Sequence, residues 1–374
     1  MRGLITAAAL LACWAQVARA DTPGQQAGPI GEHARRLLDE AILASATAAR
    51  PDAAPDLVAR FKLAAEAAPH WTPALLDYAI ALDRAASLDQ AEAAYLAAAG
   101  AQDFPEVRFT AAARAASLAL DRGDAEAARA AVTLARAALP DDAAPYVLQA
   151  RVALRLHDPG AAQAAARSAL VRDPQDSEAL CVLARAHLAQ GNAGVAGLFA
   201  ARAAKVDPED AEPLLVQAEI AREKGDPAAE LAAARAAVEA DAESADAALA
   251  LGRALYERGL TAAAFEQLSR AAELEPDAPA IRLALGTVLA AEGQKPQAEE
   301  QLLRAAKRAP AWPEPHLELA RLKELQGDAK TALAEAKVFL RLSVRAPPPG
   351  HPIHALVQRC EETLRTRAQA SVVQ

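Results

Sequence analysis

Aromatic side chains make up only 3% of this 374-residue chain. β-Branched residues are also thinly spread, so the side chains that suit a pleated sheet are lacking and no sheet is expected. An excess of positive charge is absent too. The formal charge is −9 at pH 7, and no basic tail is present, which argues against nucleic acid, whose phosphates need a basic face to displace their counterions. Beyond the N-terminus no stretch reaches the roughly 18 uninterrupted apolar residues that would span a bilayer, because Arg, Asp or Glu recurs every few positions even in the Ala-rich runs. No transmembrane segment is therefore expected. What fills the chain is Ala, Leu, Arg and Glu, the residues that lose least on entering a helix.

The first twenty residues read differently from the rest. Arg2 is a positive n-region, Leu4 to Ala12 a short apolar core, and Ala18-Arg19-Ala20 a small-x-small cleavage site before Asp21. Residues 1–20 are thus read as a secretory signal, with the periplasm as the destination. Its removal takes the charge from 40 − 49 = −9 to 38 − 49 = −11. Leu10-Leu11-Ala12-Cys13 also resembles a lipobox, whose processing would leave a lipid anchor at Cys13 and an outer-membrane lipoprotein. The apolar run continuing through Trp14, Ala15, Val17 and Ala18 favours cleavage after Ala20. Residues 21–37 are read as a Gly/Pro/Gln-rich disordered leader and the start of a first helix. Cys181 and Cys360 lie too far apart in any elongated array to bridge, so two free thiols are expected.

Internal periodicity decides the architecture. Gly123, Gly191, Gly225, Gly259, Gly293 and Gly327 fall on one 34-residue lattice, with His157 at the missing node. Pro140, Pro174, Pro208, Pro276 and Pro310 form a second lattice of the same period, offset by 17, with Ala242 at its gap. Alanines recur five residues after the glycine node, at 128, 162, 196, 264 and 298, and again twelve after it, at 135, 169, 203, 237, 271 and 305; Glu230 breaks the first series. Small side chains at such spacings let two helices approach closely. Glycine suits the left-handed C-cap of a first helix. The following Asp124, Asp158, Asn192, Asp226 and Asp328 suit the N-cap of a second, and the proline node ends it.

This pattern resembles the tetratricopeptide repeat, a 34-residue helical pair with large and small residues at positions 4, 7, 8, 11, 20, 24 and 27 and Pro at 32. Leu251, Gly252, Leu255, Ala264, Leu268, Ala271 and Pro276 carry it in one unit, and Leu285, Gly286, Leu289, Ala298, Leu302, Ala305 and Pro310 in the next. The resemblance implies an all-α, right-handed superhelical solenoid. In this register nine helix-turn-helix repeats occupy 38–71, 72–105, 109–142, 143–176, 177–210, 211–244, 245–278, 279–312 and 313–346, with Glu106 to Arg108 inserted between the second and third. The match is weakest in the first, where Ser45 stands at a small-residue position and Asp52 at the glycine node. Residues 347–374 are read as a Pro-rich linker, a C-terminal capping helix around Leu356, Val357, Cys360 and Leu364, and a tail.

No motif argues for catalysis, a metal or a cofactor. Gly191-Asn192-Ala193-Gly194-Val195-Ala196-Gly197 opens a helix but lacks the strand that aims a phosphate loop, and His351-Pro352-Ile353-His354 lacks a third ligand. The resemblance places ligands instead in a concave groove formed by the first helix of each repeat, at positions 2, 5, 9, 12 and 13. Candidate groove residues are Val147, Arg151, Leu154, Arg155, Cys181, Arg185, Leu188, Leu215, Leu249, Arg253, Tyr256, Leu283 and Arg321. Arginines beside aliphatic side chains suit a peptide or protein bearing carboxylates and apolar anchors. The bland alternative is that these arginines pair with Glu178, Glu212, Glu219, Asp246 and Glu257 as an ordinary solvated face. A Lys-and-Asn clamp for chaperone tails is not matched.

The resemblance further implies a non-enzymatic scaffold of the bacterial envelope, in secretion, pilus, motility or polysaccharide-export assemblies. A glycan-binding or regulatory subunit of an envelope enzyme is the remaining reading, opposed by the dearth of aromatic rings on which sugars stack.

Overall fold

The computed structural model describes residues 32–47, 54–343 and 346–372. The expected signal at 1–20, Cys13, the leader as far as Gly31 and Asp52 lie outside them. Among the described residues there are nineteen helices and no strand.

The helices form nine consecutive pairs and a final single helix. They are α1 Glu32–Thr47 and α2 Ala54–Ala67, α3 Thr72–Arg84 and α4 Leu88–Gly100, α5 Pro105–Asp121 and α6 Ala125–Ala138, α7 Ala144–Arg155 and α8 Pro159–Arg172, and α9 Ser177–Leu188 and α10 Ala193–Val206. There follow α11 Ala211–Glu223 and α12 Pro227–Ala240, α13 Ala245–Glu257 and α14 Thr261–Leu274, α15 Pro279–Ala291 and α16 Lys295–Arg308, α17 Glu314–Leu325 and α18 Ala329–Leu342, and last α19 Pro352–Val372. Contacts divide the described residues into those up to 120 with 124–207, and 121–123 with those from 208 onward. Within each unit, successive helices pack on one another, an all-α repeat solenoid.

Alanine makes this packing possible. All eleven alanines of the two small-residue series are fully buried, and Glu230, at the break, is buried with them. One methyl contributes only about 0.8 kcal/mol on burial, so no hairpin holds itself and stability accumulates by stacking. Across the hairpin seam a small residue at position 8 of the first helix stands opposite position 24 of the second, which is large at Tyr95 (opposite Ala79) and Val132 (opposite Ala116). Ala150 faces the node of Ala166, Ala184 that of Ala200, and Ala218 that of Ala234, whereas the two glycines, Gly252 and Gly286, meet Leu268 and Leu302. A Cβ on Gly252 would lie 2.6 Å from Leu268 Cγ, and one on Gly286 2.8 Å from Leu302 Cγ.

The turns follow from backbone demands. Every glycine of the lattice has φ between 68° and 78°, and the same left-handed turn is imposed on His157 and on Ala86, both with φ 56°. Ala86 occupies the node of the second repeat, out of step with the lattice by the three inserted residues. Those residues, 106–108, lengthen α5 at its N-terminal end. Asp124, Asp158, Asp226 and Asp328 accept an amide hydrogen bond three residues on, as caps of α6, α8, α12 and α18; Asn192 makes no such bond.

Arginines join neighbouring repeats. Arg202 donates to the Pro174 carbonyl in the first unit and Arg270 to that of Ala242 in the second, each at 2.7 Å and each 28 residues apart. At the C-terminal end, α19 packs on α18 through Ile353, Leu356 and Cys360. Arg359 holds Glu324 of α17 by two hydrogen bonds, 2.7 and 3.0 Å.

Candidate functional site

Consecutive first helices touch directly, α7 with α9 in one unit, and α11, α13, α15 and α17 in the other. Each unit therefore presents a continuous face made of first-helix side chains, and the candidate residues are distributed along it.

In the first unit, α7 supplies Val147, Arg151, Leu154 and Arg155, and α9 supplies Cys181, Arg185 and Leu188. Val147 and Cys181 are buried and belong to the packing between helices. Leu154 and Leu188 are half-buried, Arg155 is exposed and Arg185 is partly so. Arg151 reaches across to Glu178 of α9, with Nη1 2.7 Å from Oε1, and both side chains keep a third or more of their surface in water, 41% and 34%. This is one of the pairings that a solvated charged face would make, and it also ties one repeat to the next.

In the second unit, Leu215 is buried, whereas Leu249, Tyr256 and Leu283 are half-buried between the face and the core. Arg253 is exposed along much of its length, yet the protein around its guanidinium lowers its basicity, and Arg222 adds to the effect. Glu257, Glu230 and Glu219 oppose it. Glu230 is the residue whose meaning a motif search misses. Its only sequence signal is the break in the alanine series, yet it carries a carboxyl from the buried seam toward Arg222, Arg253 and Glu257. Burial pushes that carboxyl above its ordinary range. Arg321 pairs with Glu318 one turn earlier at 2.6 Å, and burial raises the Glu318 carboxyl against the pull of Arg321.

Groups that could suggest chemistry have structural employment. The Ile353 amide donates to His351 Nδ1, His351 stacks on Phe339, and His354 Nε2 contacts the Pro347 carbonyl. His187 stacks on Phe199, and burial, with Arg167 nearby, makes its imidazole harder to protonate. Tyr146 lies between Arg172 at 3.7 Å and Arg136 at 5.0 Å from its ring centre, a cation–π contact on each. Cys181 and Cys360 are both reduced and buried.

Comparison with known proteins agrees with this architecture. The tetratricopeptide repeat profile matches residues 147–211, 215–279 and 249–315. No curated protein matches the chain in sequence. Among solved structures, the APC/C hetero-tetramer Cut9-Hcn1 aligns over 87% of this chain at 14% identity with a TM-score of 0.54, and 66% of that chain, just under two thirds, is covered. PilF of Pseudomonas aeruginosa aligns over 58% of this chain and 96% of its own at 19% identity, TM-score 0.45. A tetratricopeptide repeat protein of Parabacteroides merdae aligns over 68% and 98% at 14% identity, TM-score 0.45. With its 34-residue hairpins, buried alanine nodes, left-handed turns and matching profile, the chain belongs to the tetratricopeptide repeat family.

Proposed function

We propose that this chain is a non-enzymatic scaffold of the bacterial cell envelope that holds a protein or peptide partner along its first-helix face, in a secretion, pilus, motility or polysaccharide-export assembly. Tetratricopeptide folds serve as interaction scaffolds. The observation that carries the reading here is the face itself, where Arg151, Arg155 and Arg185 stand beside half-buried Leu154 and Leu188 in one unit, and Arg253 beside Leu249 and Tyr256 in the other. Such a surface offers charge-assisted hydrogen bonds to carboxylates and partly desolvated aliphatic walls to an apolar anchor. Export to the periplasm rests on the signal-like residues 1–20.

The test is capture of partners from solubilised envelopes by the tagged chain, beside a variant carrying Arg151→Glu, Arg185→Glu and Arg253→Glu. Circular dichroism must show equal helicity. Partners held by the native chain and lost by the folded variant support the reading. A partner retained equally by both places binding on another face and overturns it.

A further inference from the structure

The outward helices of the fourth and fifth repeats differ from their counterparts elsewhere. α8 and α10 contain Arg167, Arg172, Arg202 and Lys205 and no carboxylate, whereas each of the other seven second helices carries at least one Asp or Glu. Among the described residues none of these four cations forms an ion pair. Arg172 lies over the Tyr146 ring and Arg202 donates to the Pro174 carbonyl, both neutral partners.

Aliphatic side chains stand among them. Val171 is 81% exposed and Leu198 72% exposed, with Val195 and Val206 exposed alongside. Helical spacing puts Val171 one turn from Arg167 on α8, and Leu198 one turn from both Val195 and Arg202 on α10, with Lys205 a turn beyond. α9 lies packed against both helices. The result is one outward face on which bare aliphatic groups are rimmed by long cationic side chains, within a chain of net charge −9.

We propose that this α8–α10 face docks on an anionic lipid surface. Charge complementarity selects a negative occupant. The geometry selects a bilayer over a partner helix, because a helix is recognised by a groove with walls, and side chains exposed to this degree protrude instead of lining one. Protruding aliphatic groups enter the headgroup boundary while Arg and Lys stems extend to the lipid phosphates. The docking would hold the first-helix face of the same repeats turned away from the membrane, available to a partner.

The experiment is co-sedimentation of the purified full chain with large vesicles of phosphatidylcholine containing about 30% phosphatidylglycerol, or of phosphatidylcholine alone. Each basic side chain near such a surface contributes about fivefold to partitioning. Arg167→Gln with Lys205→Gln should therefore lower binding to the anionic vesicles about 25-fold, and Val171→Ser with Leu198→Ser about tenfold or more. All four positions are exposed, so helicity should be unchanged. Residues 1–20 are the same in every variant, so binding through them cannot mimic the result. The proposal is overturned if both double variants bind like the native chain, or if phosphatidylcholine alone binds as strongly. It is equally overturned if vesicles fail while a synthetic acidic amphipathic peptide is held by this face, which would make it a protein dock.

Discussion

Gly252→Ala should weaken the fold although alanine is the better helix former. In the middle of α13 the substitution gains about 0.5–1 kcal/mol of helix propensity. Against this, the new Cβ would stand 2.6 and 2.8 Å from Leu268 Cγ and Cδ2, and 3.3 Å from the Ala264 carbonyl oxygen. Leu268 is fully buried and α14 is held from both sides, so neither side chain nor backbone has room to yield. Overpacking of this kind costs about 1–3 kcal/mol, leaving a net loss of up to about 2.5 kcal/mol. Leu268→Ala alone opens a cavity and costs about 2–5 kcal/mol. The double variant installs the Ala/Ala pair used by Ala150 with Ala166, so its loss should fall short of the sum by about 1 kcal/mol or more. Gly197→Ala in α10, with nothing within 4 Å of its Cβ, is the control and should stabilise. Guanidinium unfolding followed at 222 nm measures all four. Strict additivity, or a Gly252→Ala variant stabilised like Gly197→Ala, would refute the argument from the contact with Leu268.

Asp77, in α3, has its carboxyl raised to about 7, chiefly by burial, with Arg84 opposing. Its folded pKa exceeds the unfolded value near 3.9, so the native state binds the proton more tightly and stability is lost as pH rises from about 4 to about 7, with no further loss beyond. Asp77→Asn should therefore stabilise by about 1–2 kcal/mol at pH 8 and hardly at all at pH 4, by denaturant midpoints at both. Asp158→Ala removes the 2.9 Å bond to the Ala161 amide and should cost about 1 kcal/mol, whereas Asn192→Ala, which loses no such bond, should cost much less by the same assay. His157→Gly and Ala86→Gly should each raise the melting temperature, since about 1 kcal/mol of left-handed strain is relieved. A double-mutant cycle on Arg151 and Glu178 should return about 0.5 kcal/mol of coupling at low salt and close to none at 1 M salt, as half-exposed pairs do.

The fold was legible because its constraints repeat. A left-handed turn that glycine fills most easily, and a seam that admits only a small side chain, each leave a mark every 34 residues. Where the constraint persists and the preferred residue does not, the mark is lost: Ala86 adopts the turn that glycine makes elsewhere, and nothing local in the sequence says so. The face was legible in its register and less so in its exposure. Val147, Cys181 and Leu215 share position 5 with Leu249 and Leu283, yet the first three are buried and the last two half-buried. That difference depends on how closely neighbouring first helices pack, which a single repeat does not encode. Likewise, the list of acidic candidates contained Glu178, but only the structure shows it reaching Arg151 from the next repeat.

Net charge is the property that the sequence states most clearly and that the structure changes most. Between residues 144 and 206 there are seven Arg and Lys against four Asp and Glu, a local +3 in a chain of −9. The four carboxylates are also spent locally. Asp158 and Asp176 accept the amides of Ala161 and Ala179 at helix N-termini, Asp173 that of Gln175, and Glu178 holds Arg151. A carboxylate at a helix N-terminus compensates the backbone dipole there. Arg167 stands more than two turns along α8 from Asp158, beyond a Debye length of about 8 Å, whereas Arg172 directly precedes Asp173. The cap at Asp158 thus places negative charge at the turn before α8 and not on its outer face, whereas α10 opens at the uncharged Asn192 and carries no carboxylate of its own. A repeat protein can be acidic as a whole and still offer a basic, apolar face, because capping and surface charge are set by different positions of the same 34-residue unit.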